Sequence, residues 1–241
     1  MNRILFTESE ITDGEVMLTD SRARHIRSVL KSGVGDVLKT GQVNGPLSNG
    51  EIIEMGDKNV RLSITEIHTP TRPTRDLILA LPRPKVLNRL LPQISALGVD
   101  RLIMCNASKV ERYYFDTHVL DKDHLEERLI EGLMQCGDTC LPSVRIIKKL
   151  RHFMEDELED FCGEADRMVL HPGGDMTLAG RPLSHERTVL AIGPEGGWLK
   201  TEVKGFEEHG FRRVSLMNRI LRSDTATIAA LSLIAMKGIN P

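Results

Sequence analysis

Val189-Leu190-Ala191-Ile192-Gly193-Pro194-Glu195-Gly196-Gly197 joins an apolar run to a glycine-rich turn, and Leu216-Met217-Asn218-Arg219-Ile220-Leu221-Arg222-Ser223-Asp224-Thr225 follows at a short distance. Each reads as a loop leaving the end of a buried strand. In the first, the glycines permit positive φ and let backbone approach a ligand closely. In the second, a strand ending at Leu216 gives way to a polar loop and then to an apolar helix from about Thr225 to Met236. A pocket between the two loops is the candidate site.

Outward from this stretch, the chain from Asp76 alternates strand and helix: Leu77-Leu81, Lys85-Leu97 closed by Gly98, Leu102-Cys105, about Asp123-Cys136, and Val144-Ile147. That rhythm predicts an α/β fold, a parallel sheet with helices on its faces. Val86, Leu87, Leu90, Leu91, Ile94 and Leu97 form one apolar stripe, and Pro92 should kink that helix. A helix over His152-Phe161 precedes a strand, Met168-Leu170, which ends at His171-Pro172-Gly173-Gly174. Ligands of parallel sheets gather at the carboxyl ends of strands, so three special loops, after Leu170, Ile192 and Leu216, can line one pocket.

Residues 1–72 read differently. Short apolar runs at Arg3-Phe6, Glu15-Leu18, Asp36-Thr40, Gly50-Glu54 and Val60-Ile67 are separated by turn residues and suggest a small barrel. Pro70-Thr71-Arg72-Pro73 is a stiff linker, placing a domain boundary between 1–72 and 73–241. One helix, Ser21-Lys31, capped by Asp20 or Ser21, interrupts the strands. Ile26, Val29 and Leu30 can point inward, while Arg24, Arg27 and Lys31 share an outward face beside Arg22 and His25. This basic cluster is either a phosphate contact or a solvated face.

The 241 residues carry a formal charge of -2, so any nucleic-acid footprint has to be local. With 40% hydrophobic residues the chain can bury a real core, and disorder is excluded. No apolar run reaches membrane-spanning length and the start does not resemble a secretory signal, so a cytoplasmic protein is expected. Cys105, Cys136, Cys140 and Cys162 show no CxxC spacing, and read as reduced, buried structural thiols with no metal site.

Taken in order, the motifs resemble the SPOUT class of S-adenosylmethionine-dependent RNA methyltransferases. They are most similar to the RsmE family, which methylates N3 of a uridine in small-subunit (16S) ribosomal RNA. Gly193-Pro194-Glu195-Gly196-Gly197 stands where that family has GPEGG, and Arg219-Ile220-Leu221-Arg222-Ser223-Asp224-Thr225-Ala226 where it has RILR followed by an acid, Thr and Ala. His25 with Val29-Leu30 and Gly35-Asp36 looks like its N-terminal signature, and Ala96-Leu97-Gly98-Val99 like its helix-to-strand step. Met217 replaces a usual Gly, Asp224 a usual Glu and Gln93 a usual Lys, and Asp138-Thr139 stands where an Arg is usual.

The resemblance implies a trefoil knot in the methyltransferase domain, a homodimer through the knotted region, and a PUA-like N-terminal barrel that helps hold RNA. It carries Leu170, His171, Pro172, Ile192, Gly193, Gly196, Leu216, Asn218, Ile220 and Leu221 into the cofactor site. The partner it implies is ribosomal RNA within the assembled small subunit.

For the chemistry, N3 of neutral uridine must lose a proton while negative charge spreads to O2 and O4. Arg222 is the first candidate catalytic residue, because its fork of donors suits that anion or a phosphate; pairing with Glu195 or Asp224 is the structural alternative. Glu195 is a base or an anchor for that arginine. Ser223 and Asp224 suit the start of the last helix, and Arg219, with Arg22, Arg24, Arg27 and Lys31, is a candidate RNA contact. Trp198 stacks on a base or packs under its loop. Competing readings are a SPOUT enzyme acting on tRNA, large-subunit RNA or a ribose 2′-OH, and a non-catalytic RNA-binding protein or phosphate-binding α/β enzyme with Gly193 to Gly197 as anion cradle.

Overall fold

The computed structural model describes residues 2–237; residue 1 and residues 238–241, the outer ends of the two expected segments, lie outside the described residues. By compactness the chain divides into one unit holding the residues up to Arg72 with Ile130–Leu141, and a second holding Pro73–Leu129 and the residues from Pro142.

The first unit contains β1 (Ile4–Phe6), β2 (Ile11–Thr12), β3 (Glu15–Leu18), α1 (Ser21–His25), β4 (Val37–Gln42), β5 (Leu47–Met55) and β6 (Val60–His68). Its sheet runs in the order β1-β4-β5-β6-β3-β2. Among the described residues of this sheet, β1 and β4 pair in parallel and the other pairs are antiparallel. Along β5, Ser48, Gly50 and Ile52 are buried and their neighbours are not, the period of two that sends alternate residues to one face. Ile4 and Phe6 at one edge, Val16 and Leu18 near the other, and Ala23 and Ile26 from the helix all join one core.

Asp20 caps α1 by accepting the Arg22 N–H. Beyond His25 the helix widens to a π turn over Ile26–Leu30 and stops at Lys31, whose φ is 54°. The wider turn advances each residue through a smaller angle than an α-helix does. Val29 and Leu30 therefore swing outward and are exposed, contrary to the inward expectation, while Ile26 stays buried.

Thr139 is wholly buried in this unit, its hydroxyl donating to the Gly45 carbonyl at 2.7 Å. A Cβ on Gly41 would come within 2.6 Å of its methyl group, so that glycine makes room for it.

The second unit contains β7 (Arg75–Ala80), α2 (Pro84–Ala96), β8 (Arg101–Cys105), α3 (Lys122–Cys136), β9 (Ser143–Ile147), α4 (Leu150–Asp156) and α5 (Leu158–Cys162). It continues through β10 (Asp166–Leu170), β11 (Met176–Thr177), β12 (Thr188–Ile192), α6 (Lys200–Glu208), β13 (Arg212–Ser215) and α7 (Ser223–Lys237). The last turns of α3, from Ile130, count with the first unit. The helix expected over His152-Phe161 is broken at Glu157, whose φ of -130° lets both halves bury apolar residues.

All seven strands are parallel, in the order β11-β13-β10-β12-β7-β8-β9. Every residue of β12 is buried, as is every residue from Leu77 to Ala80, which is what a sheet covered on both faces requires. Pro84 opens α2, where its missing N–H costs nothing, and Gly98 at φ 70° follows its end. At the amino end of the sheet the buried Asp76 takes hydrogen bonds from Arg101 and from Arg187, which also reaches Asp100 at 3.1 Å.

The strand order departs from the chain order beyond β7, where β12, β10, β13 and β11 follow. β13 lies between β10 and β11, two parts of the same connection made earlier in the chain. It is bound on both sides: His171 N–H donates to Val214 O at 2.9 Å, and Leu178 N–H donates to Ser215 O at 2.7 Å. Where the connection crosses, a Cβ on Gly174 would lie 2.4 Å from the backbone of Val214 and Ser215. After β13 the chain returns to pack α7 against β12 and α2.

Cys105, Cys140 and Cys162 are buried free thiols; Cys136 is free but exposed, which corrects the expectation for that residue. Burial pushes the Cys162 thiol up to about 12. No described helix is long and apolar enough to cross a membrane.

Candidate functional site

The loops after β10, β12 and β13 converge on a cavity of about 460 Å³ at the carboxyl ends of these strands. Leu170, His171 and Pro172 line it from the first loop; Ile192, Gly193, Glu195 and Gly196 from the second; Leu216, Arg219, Ile220 and Leu221 from the third. Of the ten residues expected to meet a cofactor, Asn218 alone does not line it and is exposed.

The glycine loop owes its shape to its neighbours. A Cβ on Gly193 would come within 3.1 Å of Trp198, and one on Gly196 within 2.9 Å of the Lys109 stem. Gly197 has φ 70°. Lys109 Nζ donates to the Gly196 carbonyl at 2.6 Å, and Ser108 N–H donates to Glu202 Oε1 at 2.8 Å, so the loop after β8 clasps this one.

Trp198 is buried and meets Phe206 edge-on at 5.1 Å, so its ring packs under the loop. Its Nε1 and the Ser223 hydroxyl are buried polar atoms without a hydrogen-bond partner among the described residues, and both residues line the cavity.

His171 Nδ1 accepts the Gly173 N–H at 3.0 Å, which leaves Nε2 to carry the proton of the neutral ring. Burial, and then the nearby Arg213 charge, hold its pKa below the ordinary value against the opposing pull of Glu207.

Arg222 and Glu195 are not brought into an ion pair. Glu195 accepts the Arg83 N–H at 3.3 Å, at the start of α2, where a carboxylate suits the helix dipole. The nearest carboxylate to Arg222 is that of Asp224, with Nε 4.0 Å from Oδ1, and the arginine side chain is 71% exposed.

The expected RNA contacts divide. Arg22 is committed to Glu10, Asp20 and the Leu5 carbonyl; burial lowers its pKa, but the two carboxylates outweigh it and raise the pKa above the ordinary value. Arg27 donates to the Gly56 carbonyl at 2.7 Å, whereas Arg24 and Lys31 are exposed. Lys109 and Arg83 escaped the sequence reading. The signal for Lys109 is the rule that flagged the other loops, since Ala107-Ser108-Lys109 also leaves the carboxyl end of a parallel strand.

A family model described as RNA methyltransferase domain matches residues 70–235. Ribosomal RNA small subunit methyltransferase E of Treponema pallidum is 30% identical, over 97% of this chain and 90% of that protein. Ribosomal RNA small subunit methyltransferase E 1 of Borreliella burgdorferi is 28% identical over the whole of both chains. Among solved structures, the ribosomal RNA small subunit methyltransferase E of Neisseria gonorrhoeae bound to S-adenosyl methionine superposes with a TM-score of 0.80 at 22% identity, covering 98% of this chain and 97% of that one. With a model spanning most of the second unit and a relative matched almost end to end, the chain belongs to the RsmE family of RNA methyltransferases.

Proposed function

We propose that this chain transfers a methyl group from S-adenosylmethionine to N3 of one uridine in small-subunit (16S) ribosomal RNA, acting where ribosomal subunits are, in the cytoplasm. The observation that carries the reading is the convergence of three parallel-strand loops on one cavity in a chain of this family. The cavity suits the cofactor. Its volume is in the range of small-molecule sites, and Leu170, Pro172, Ile192, Leu216 and Leu221 offer apolar walls. The orphaned Trp198 Nε1 and Ser223 Oγ fit a ligand that brings polar atoms.

When bound, the sulfonium supplies an activated methyl group. The protein's part is orientation and charge. Arg222, exposed beside the cavity, faces the charge that develops on the uracil oxygens as N3 loses its proton. Glu195, held by the amino end of α2, positions the glycine loop rather than Arg222. Asp224 holds the Thr225 N–H at 2.9 Å and so sets the first turn of α7 behind the third loop.

Three features support the finer architecture. The position of β13 between β10 and β11, inside one connection, fits a trefoil knot. A single core shared by strands near both edges of the first sheet fits a PUA-like barrel. Apolar side chains left exposed on α7 and its flanking loop, among them Ile228, Met236 and Ile220, the last 84% exposed, fit a homodimer through this region.

Incubating the protein with S-adenosylmethionine and small subunits from cells lacking the enzyme is expected to yield one N3-methyluridine when bases are mapped by mass spectrometry. A ribose methyl group, or modification of tRNA instead, would overturn the assignment.

Folding stability should also depend on pH through His171. Its folded pKa lies below the unfolded one, so its contribution is complete above about pH 6.5 and is lost as pH falls below that toward the lowered value. Its contribution to the denaturation midpoint should be constant above that point and weaken below it. In His171→Asn, whose amide oxygen can still accept the Gly173 N–H, the acid weakening should disappear.

A further inference from the structure

Tyr113 stands 64% exposed on the loop that leaves the carboxyl end of β8. Its ring is held in place: it meets the buried Tyr114 edge-on, with centroids 4.8 Å apart and planes at 87°. Arg83 lies close enough to Tyr114 to act on its hydroxyl electrostatically. Arg83 in turn donates its N–H to Glu195, and Lys109, four residues before Tyr113, donates to Gly196 and lines the cavity. Lys109 thus ties the loop that carries Tyr113 to the wall of the cofactor cavity.

The loop carries charges of both signs, Glu111 and Asp116 beside Lys109 and Arg112. Lys109 and Arg112 are exposed, and among the described residues neither is ion-paired. Arg101, Arg145, Arg167 and Arg187 of the same unit are all matched to carboxylates. An exposed ring with unpaired Lys109 and Arg112 on its loop, which is tied to the cavity wall, suits an anionic ligand with flat faces. Unstacked nucleotides meet both demands, because every base has a π face and every linkage a phosphate.

We infer that Tyr113, with Lys109 and Arg112 on the same loop, is a stacking platform for a base of single-stranded RNA next to the methylated nucleotide. The inference rests on the reading that the chain methylates ribosomal RNA. The ring holds the flanking base while the cations hold its phosphates, which lets the target base turn into the cavity.

The test compares Tyr113→Ala and Tyr113→Phe with the unaltered protein, using unmethylated small subunits as substrate and calorimetry for S-adenosylmethionine. Tyr113→Ala should raise KM for the subunit about tenfold, with kcat and cofactor affinity unchanged, and Tyr113→Phe should restore KM. In Arg112→Gln the slope of log affinity for a labelled single-stranded oligonucleotide against log salt should fall by about 0.7. An unchanged KM in Tyr113→Ala, with N3-methyluridine confirmed as product, overturns this inference alone. A fall in kcat or cofactor affinity at constant KM also overturns it, by making Tyr113 a support of the glycine loop. Absence of N3-methyluridine with the unaltered protein overturns the proposed function, and the platform with it.

Discussion

Arg222→Ala should lower kcat for RNA methylation by about 10²- to 10³-fold, the usual cost of losing one donor aimed at a developing anion, and leave affinity for S-adenosylmethionine within about twofold. The split follows from where the side chain lies. Arg222 is not among the residues lining the cavity, so little cofactor contact is lost with it. Its one nearby carboxylate, Asp224, is 4.0 Å away, too loose a partner to hold the guanidinium as scaffold. Arg222→Lys keeps the charge without the planar fork and should recover only part of the loss. Single-turnover rates on unmethylated subunits, with cofactor affinity measured separately, decide the matter; full kcat in the alanine variant would move the role to another residue.

Gly174→Ala should destabilise the fold by about 3 kcal/mol, at the upper end of the usual cost of overpacking, and weaken cofactor binding more than tenfold. The added methyl group would meet backbone of Val214 and Ser215 at 2.4 Å, and no rotation of a side chain relieves that contact. Either the crossing connection or β13 has to move, and the first loop, with Leu170, His171 and Pro172, moves with it. Gly173→Ala is the control one residue away. Its methyl group would meet only the His171 ring, at 3.4 Å, an ordinary contact, so stability should stay within about 1 kcal/mol. Chemical denaturation of the two variants checks the difference; equal midpoints would mean that the crossing yields at little cost.

The convergence of the three loops is legible from residues alone. Apolar runs ending at Leu170, Ile192 and near Leu216 are strands of a parallel sheet, and glycine or polar residues after each mark loops at its ligand-binding end. The placement of β13 is not legible, because local pattern specifies that a strand exists and not which neighbours it takes. The clasp by Lys109 is hidden for a similar reason: a lysine after a strand looks like any solvated charge until the Gly196 carbonyl is seen above it. Arg22 shows a partner that sequence hides. Within a basic cluster it reads as an RNA contact, yet Glu10, distant in sequence, folds back to bind it. Val29 and Leu30 fail as inward residues because the π turn breaks the period on which such readings depend.

The position of β13 bears on how the chain comes to be folded. β10 and β11 are both synthesised before β13, yet in the finished sheet they lie on either side of it. Until β13 arrives, β10 presents an open strand edge toward the gap that β13 will fill, and such edges invite pairing with other chains. Closure of the cavity must then wait for the final strand and helix, so the last step of folding and the first appearance of a complete cofactor site become one event. A slow refolding phase, reported together by sheet formation and by the onset of cofactor binding, would be its kinetic signature.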